Sequence, residues 1–143
     1  MMRTEVKILD FGLSRTIAEP SVTQTGHFVG TPWYMSPEQI FFPKSCTSLT
    51  DLWSCGVMLY EALYSEVPFM GKSLPSVCNA INESEVDMNE LQEAHPLAGE
   101  LIRVVESCLQ KDPKKRVQSA ARLKYTLDSA SEYFSHSDLA KSE

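Results

Sequence analysis

Residues 50–65 are apolar on nearly every side of the helix that they predict. Thr50 is suited to cap the start of this helix, and Asp51 falls in the first turn, where the helix dipole favours a negative charge. Pro68 lies just beyond the segment and blocks its continuation. A helix with no polar face needs other elements around it. We therefore expect a fold in which this helix is buried at the centre.

Composition and charge limit the class of protein. The chain has 143 residues, of which 43% are apolar and 22% charged, as in an ordinary soluble domain with one core. Its net charge of -6 argues against nucleic acid or an anionic membrane surface as the main partner. No membrane-spanning run or signal peptide is visible, and the four cysteines lack metal-ligand spacing. These features predict a cytoplasmic protein, with the nucleus as the alternative.

The stretch from Asp10 to Glu38 begins and ends with a distinctive motif. Alternating residues before Asp10 predict a short strand that leads into Asp-Phe-Gly, and the stretch closes with GTPWYMSPE. Between them, residues 13–29 are polar and rich in Ser and Thr, which is typical of a surface loop. A strand that ends at Asp10 would place its carboxylate on a rigid support at the edge of a cleft. The alternative is a strand that simply ends in a turn, where Asp and Gly are common.

Two further motifs follow in order along the chain. The central helix carries Asp-x-Trp-Ser-x-Gly from Asp51 to Gly56, and a later stretch, Lys-Asp-Pro-Lys-Lys-Arg, ends at Arg116. From Asp-Phe-Gly through Ser-Pro-Glu to this arginine, the sequence resembles the eukaryotic protein kinase family, Ser/Thr type, over residues 4–127. The resembling part is the C-terminal portion of the catalytic domain, from Asp-Phe-Gly onward.

The resemblance implies a mainly α fold. It corresponds to a partial large (C-terminal) lobe of the α+β protein kinase fold, with the small lobe and the catalytic loop absent. We expect residues 1–134 to form this partial domain and residues 135–143 to be a polar, disordered tail. Within the domain we expect the activation segment at 10–38, the central buried helix at 50–65 and C-terminal helices at 73–134.

The resemblance also implies roles in phosphoryl transfer. Asp10 would be the ligand of Mg²⁺ bound to ATP, within the cofactor-binding motif completed by Phe11 and Gly12. Thr31 would contact the catalytic loop, and the sequence around it implies protein substrates that carry Ser or Thr.

Other residues would have structural roles by the same resemblance. Glu38 would form a bidentate ion pair with Arg116 and tie the end of the activation segment to the C-terminal helices. Asp51 would anchor the backbone of the catalytic loop, although simple helix-start chemistry also explains an aspartate there. Trp53 and Gly56 belong to the same central helix.

Three hydroxyl groups in the predicted loop are candidate phosphorylation sites for an upstream kinase. They are Thr25, Thr23 and Ser21, ranked in that order. In many relatives the primary site lies three residues before the glycine that corresponds to Gly30, and here that residue is His27. An unmodified loop remains the alternative.

Several motifs of a complete kinase do not occur in these 143 residues. The sequence has no G-x-G-x-x-G loop and no His-Arg-Asp, so this chain alone is expected to be inactive. With the neighbouring elements missing, part of the central helix should expose apolar surface. We expect a fragment of a serine/threonine protein kinase. The alternative is a catalytically dead, kinase-like module that binds other proteins.

Two patterns towards the C-terminus complete the sequence-based expectations. Residues 83–93 contain five acidic residues and no basic one, which predicts a solvated surface or, alternatively, a preference for basic partners. A helix is expected over residues 73–81, and another is expected to end at Asp112-Pro113. The final helix, beginning near Ala120, is expected to fray after Leu127.

Overall fold

The computed structural model describes Lys7, residues 32–94 and residues 98–139, and these residues form helices without a strand. Six α-helices follow one another: α1 Pro37–Phe41, α2 Leu49–Tyr64, α3 Leu74–Glu83, α4 Met88–Ala94, α5 Gly99–Cys108 and α6 Ala120–Leu139. Short 3-10 helices precede and follow α1, at Pro32–Tyr34 and Pro43–Ser45. The prediction of a mainly α fold is confirmed for the described residues.

Helix α2 lies at the centre of this arrangement and packs most extensively on α5. Its Trp53 and Val57 belong to a buried cluster that also contains residues from α3, α5 and the loops, namely Phe69, Val77, Ile81, Val105 and Leu109. On another side, Leu52 packs in a second cluster with Val104, Cys108 and Leu123. The helix is therefore covered on two sides by apolar partners.

Not every side of α2 is covered by the described residues. Met58, in the middle of the helix, is 52% exposed, and Ala62 one turn later is also exposed. The structure agrees with the expectation that this helix exposes apolar surface. It does not agree with the expectation that the helix is buried on all sides. This side of α2 is therefore open to solvent.

Both ends of α2 differ from the sequence-based expectation. The helix begins at Leu49, so Thr50 is not its N-cap but lies buried inside the first turn. The reason is tertiary: the Thr50 hydroxyl donates to Glu38 Oε1 over 3.1 Å. At the other end, Ser65 adopts a left-handed conformation with φ 63°, and its N–H donates to the Glu61 carbonyl. This cap, rather than Pro68, ends the helix.

Helices α3 and α4 begin with side-chain caps. Ser73 Oγ accepts from the Ser76 N–H, and Ser76 Oγ accepts from the Ser73 N–H, so two otherwise unpaired amides are satisfied reciprocally. Asp87 Oδ1 accepts from the N–H groups of Asn89 and Glu90 at the start of α4. The predicted helix at 73–81 is observed as α3, two residues longer at its C-terminal end.

The last two helices also end at positions other than those predicted. Helix α5 ends at Cys108, before Asp112-Pro113. Helix α6 extends to Leu139, past Leu127 and into the predicted tail at 135–143. No Gly or Pro occurs between residues 120 and 139, so the sequence holds no strong stop signal. Among the helices of the described residues, none is long and apolar enough to cross a membrane.

Candidate functional site

The predicted site residues divide into two groups. One group lies outside the described residues: the predicted metal ligand Asp10, its neighbours Phe11 and Gly12, the predicted catalytic-loop contact Thr31, and the candidate phosphorylation sites Ser21, Thr23 and Thr25. Their roles stay predictions. The described residues contain no cluster of His, Cys, Asp and Glu side chains able to hold a metal ion. The other predicted residues, Glu38, Asp51, Trp53, Gly56 and Arg116, are all described.

Glu38 and Arg116 form a buried, bidentate ion pair. Arg116 Nη1 lies 2.7 Å from Glu38 Oε1, and Nη2 donates to Oε2 over 3.1 Å. The exposed fractions of the two side chains are 0% for Arg116 and 7% for Glu38. Parallel charge-assisted hydrogen bonds of this kind fix geometry as well as energy. The pair connects α1 to the loop after α5.

Arg116 uses its remaining donors on backbone carbonyls. Nη1 also donates to the Leu49 carbonyl over 2.7 Å, and Nε donates to the Gln110 carbonyl over 3.2 Å. A guanidinium group carries five N–H donors in a fixed plane, so one side chain can join several segments at once. Here it joins α1, the start of α2 and the loop that follows α5.

The environment of Glu38 keeps its carboxylate ionised. Burial raises the pKa of Glu38, but the hydrogen bonds donated by Arg116, together with further hydrogen bonds, outweigh burial and leave the pKa below its ordinary value. Thr50 adds a further hydrogen bond to Oε1. With its carboxylate held by Arg116 and Thr50, Glu38 fits the structural role predicted for it.

The sequence around Glu38 places it where Arg116 can reach it. Ser36 Oγ accepts from the Gln39 N–H while the Gln39 side chain accepts from the Ser36 N–H, which caps the start of α1. Pro37 fills the first helical position, where a missing N–H costs nothing. Glu38 then lies in the first turn and is buried with Ser36 and Pro37. The Ser-Pro-Glu motif thus starts a short helix in which the Glu38 carboxylate is buried.

The Trp53 ring packs against Arg116, one partner of the ion pair. Its side chain is fully buried and stacks on Phe69 with ring centroids 5.6 Å apart. The guanidinium carbon of Arg116 lies 5.2 Å from the centre of the Trp53 ring, a cation–π distance. Lys111 Nζ lies over the same ring, also at 5.2 Å. The indole ring therefore packs against two cationic side chains, those of Arg116 and Lys111.

Gly56 allows α2 and α5 to approach closely. A Cβ atom at this position would lie 2.5 Å from Cys108 Cβ and 3.0 Å from Leu109 Cδ2. Asp51, by contrast, is exposed in the first turn of α2. Its position fits helix-start chemistry, and the anchoring of a catalytic loop stays a prediction.

A network around Tyr34 was not predicted from the sequence. Tyr34 donates its hydroxyl hydrogen to Glu61 Oε2 over 2.7 Å, and the Ser54 hydroxyl donates to the Tyr34 carbonyl over 2.9 Å. The hydrogen bond to Glu61 is the main reason why the pKa of Tyr34 is raised. One signal was available: Glu61 is the only charged residue after the first turn of an otherwise apolar helix. The network attaches residues 32–34 directly to α2.

Comparison with known proteins identifies the family. Residues 1–127 match the model of the protein kinase domain. The serine/threonine-protein kinase PknB of Mycobacterium leprae is 39% identical over 124 residues, which cover 85% of this chain and 20% of that protein. A probable serine/threonine-protein kinase of Clostridium acetobutylicum is 34% identical over 117 residues, covering 80% of this chain and 17% of that protein. The G2-specific protein kinase nim-1 of Neurospora crassa is 35% identical over 118 residues, covering 82% and 13%.

The matched region is only a small part of each relative. The chain spans about a fifth or less of the length of these curated relatives. Its 143 residues hold only part of a protein kinase domain, since the Gly-rich loop and the His-Arg-Asp motif are absent from them. The match nevertheless covers most of the chain, including the Ser-Pro-Glu helix, the central helix and Arg116. The chain belongs to the protein kinase domain family.

Proposed function

We propose that this chain is part of a serine/threonine protein kinase. The complete catalytic domain would transfer the γ-phosphoryl group of ATP, bound with Mg²⁺, to Ser or Thr hydroxyls of protein substrates. The observation that carries the proposal is the buried pair between Glu38 and Arg116, found in a chain whose relatives are named serine/threonine kinases. That pair holds the C-terminal end of the predicted activation segment.

In this proposal the described residues position a segment and do not perform the chemistry. Residues 32–38 are fixed at three points: the Tyr34 hydroxyl, the Tyr34 carbonyl and the Glu38 carboxylate. The partners are Glu61 and Ser54 on α2 and Arg116 in the loop after α5, and both segments contribute residues to the buried core. A rigid support of this kind suits phosphoryl transfer, where catalysis depends mainly on positioning and electrostatics.

Asp10 and Thr31 are the two residues to which the proposal assigns roles in phosphoryl transfer. Asp10 would hold Mg²⁺ against the phosphates, because a hard divalent cation prefers carboxylate oxygens. Thr31, next to the anchored residues 32–38, would contact the catalytic loop. The phosphate clamp and the catalytic base would come from a longer polypeptide, since these 143 residues do not contain their motifs.

A protein-interaction module is the second candidate function. It is favoured by apolar side chains at the surface of the described region: Phe42 is 67% exposed and Met58 is 52% exposed. Exposed apolar residues mark contacts with another protein where they form one contiguous patch. In this case the chain would bind a partner and transfer no phosphate.

The test is phosphoryl transfer by the native polypeptide that contains this sequence. We expect transfer from ATP with Mg²⁺ to give phosphoserine or phosphothreonine, and Asp10→Asn to reduce the rate by at least about 100-fold, because a metal ligand is lost. Asp128→Asn is the matched control, since Asp128 is an exposed carboxylate on α6. Unchanged activity of Asp10→Asn, or phosphotyrosine as the product, would contradict the proposal. Absence of transfer with specific capture of a protein partner would favour the interaction module.

A further inference from the structure

Lys111 has an unusual environment for a lysine. Its Nζ donates to the Ile81 carbonyl over 2.6 Å and lies 3.8 Å from the centre of the Phe69 ring. The carbonyl belongs to the last turn of α3, where helix carbonyls lack an internal partner. Within the described parts of the chain, no carboxylate lies within ion-pair distance of Lys111 Nζ. The amine is thus held by a carbonyl and two aromatic rings.

Lys111 is one of the residues that line a cavity of about 90 Å³. Phe69 and Lys111 line it, together with the carboxylate-bearing residues Glu85 and Glu106. Its volume is enough for a molecule of a few non-hydrogen atoms. The cavity therefore brings a small ligand next to a lysine that is bound by neutral groups.

The charge state of Lys111 differs from that of a surface lysine. Burial lowers the pKa of Lys111 to about 8, with nearby Glu85 acting in the opposite direction. Glu106 faces the same cavity, and Arg116 lies over the same Trp53 ring. At neutral pH a larger fraction of the Lys111 side chains is therefore neutral than for an exposed lysine. Only the neutral amine is a nucleophile.

We propose that Lys111 is a covalent modification site for small neutral aldehydes that enter this cavity. The nitrogen lone pair attacks the aldehyde carbon, a C–N bond forms and the C=O π bond breaks. One proton then passes from the nitrogen to the oxygen, which gives a neutral carbinolamine. A second proton, taken from solvent, lets the hydroxyl leave as water: the C–O bond breaks, and the nitrogen lone pair forms the C=N bond of a protonated imine. The step needs no oxidant or reductant.

The surroundings favour an aldehyde over an acyl donor. A protonated imine keeps its positive charge and one N–H, so it remains suited to the Phe69 ring and the Ile81 carbonyl. An acyl group would remove the charge, and anionic acyl donors would meet the carboxylates of Glu85 and Glu106. The cavity therefore accepts a neutral reagent and a cationic product.

The test is reductive alkylation of the full chain with limiting propanal and cyanoborohydride at pH 7.5. The hydride reduces the imine to a stable propylamine, which peptide mass spectrometry locates. We expect Lys111 to react at least about tenfold faster than the exposed Lys114 and Lys115. In about 6 M guanidinium chloride, which unfolds most domains, the difference in reaction rate between these lysines should vanish. Equal or slower reaction of Lys111 in the helical protein, checked by circular dichroism, would overturn the proposal.

A pair of variants tests the electrostatics of the site separately. Glu85→Gln removes the carboxylate that favours the charged amine, so Lys111 should react about twofold faster. Glu83→Gln changes an exposed residue that does not line the cavity and should leave the rate unchanged. A slower or unchanged reaction of Lys111 in Glu85→Gln would contradict the assignment of this cavity.

Discussion

Replacing Arg116 with alanine is expected to lower the free energy of unfolding by about 3–5 kcal/mol, because Glu38 is left buried, charged and unpaired. The Leu49 and Gln110 carbonyls lose their donor in the same variant. Urea denaturation followed by circular dichroism measures the change. The melting temperature should fall in parallel.

The matched control for this variant is Lys115→Ala. It removes the neighbouring exposed cation and should change stability by about 0.5 kcal/mol or less. Glu38→Gln combined with Arg116→Met should cost less than the two single substitutions together, since neither charge is then left without its partner. An Arg116→Ala variant that melts at the wild-type temperature would contradict the structural role of the pair.

Replacing Gly56 with alanine is expected to destabilise the chain by about 3 kcal/mol, the upper part of the range for overpacking. The new methyl group would overlap Cys108 Cβ at 2.5 Å, and this atom cannot move without the α5 backbone. Without this contact, alanine in a helix would stabilise by about 1 kcal/mol relative to glycine. The sign of the change therefore reports directly on the close approach of α2 and α5. Urea denaturation again provides the measurement.

Gly99→Ala is the control for the overpacking prediction. Gly99 begins α5, and a methyl group there would meet only the flexible end of Gln92, at 3.3 Å. We expect a change within about 0.5 kcal/mol for this variant. A Gly56→Ala chain as stable as the wild type would show that the two helices do not pack as described.

The sequence predicted the central helix well because its evidence is local. An apolar run with no polar face indicates a buried helix, and its ends were placed within one residue. The pair between Glu38 and Arg116, 78 residues apart, has no local signal and was predicted only by the family resemblance. Hydrophobic periodicity can identify a helix from local sequence. It cannot identify two side chains that are distant in sequence and form an ion pair.

The incorrect predictions also have physical causes. A threonine before an apolar run normally signals an N-cap, but the Thr50 hydroxyl is bound instead by Glu38, which local patterns cannot show. Ser65 takes a left-handed conformation usually given to glycine, so its sequence gave no stop signal. The polar composition of residues 135–143 predicted a disordered tail, yet α6 extends to Leu139 because no Gly or Pro in this helix interrupts it.

The intact mass of the native polypeptide tests most directly whether this chain belongs to a complete kinase. An antibody against the acidic segment 83–93, most of whose residues are exposed, would isolate the protein from its source. Mass spectrometry would then give its mass. We expect a value well above 16.0 kDa, since the Gly-rich loop and His-Arg-Asp motif must be part of the active polypeptide. A mass near 16.0 kDa would contradict the proposed kinase activity and leave the binding of a partner as the function.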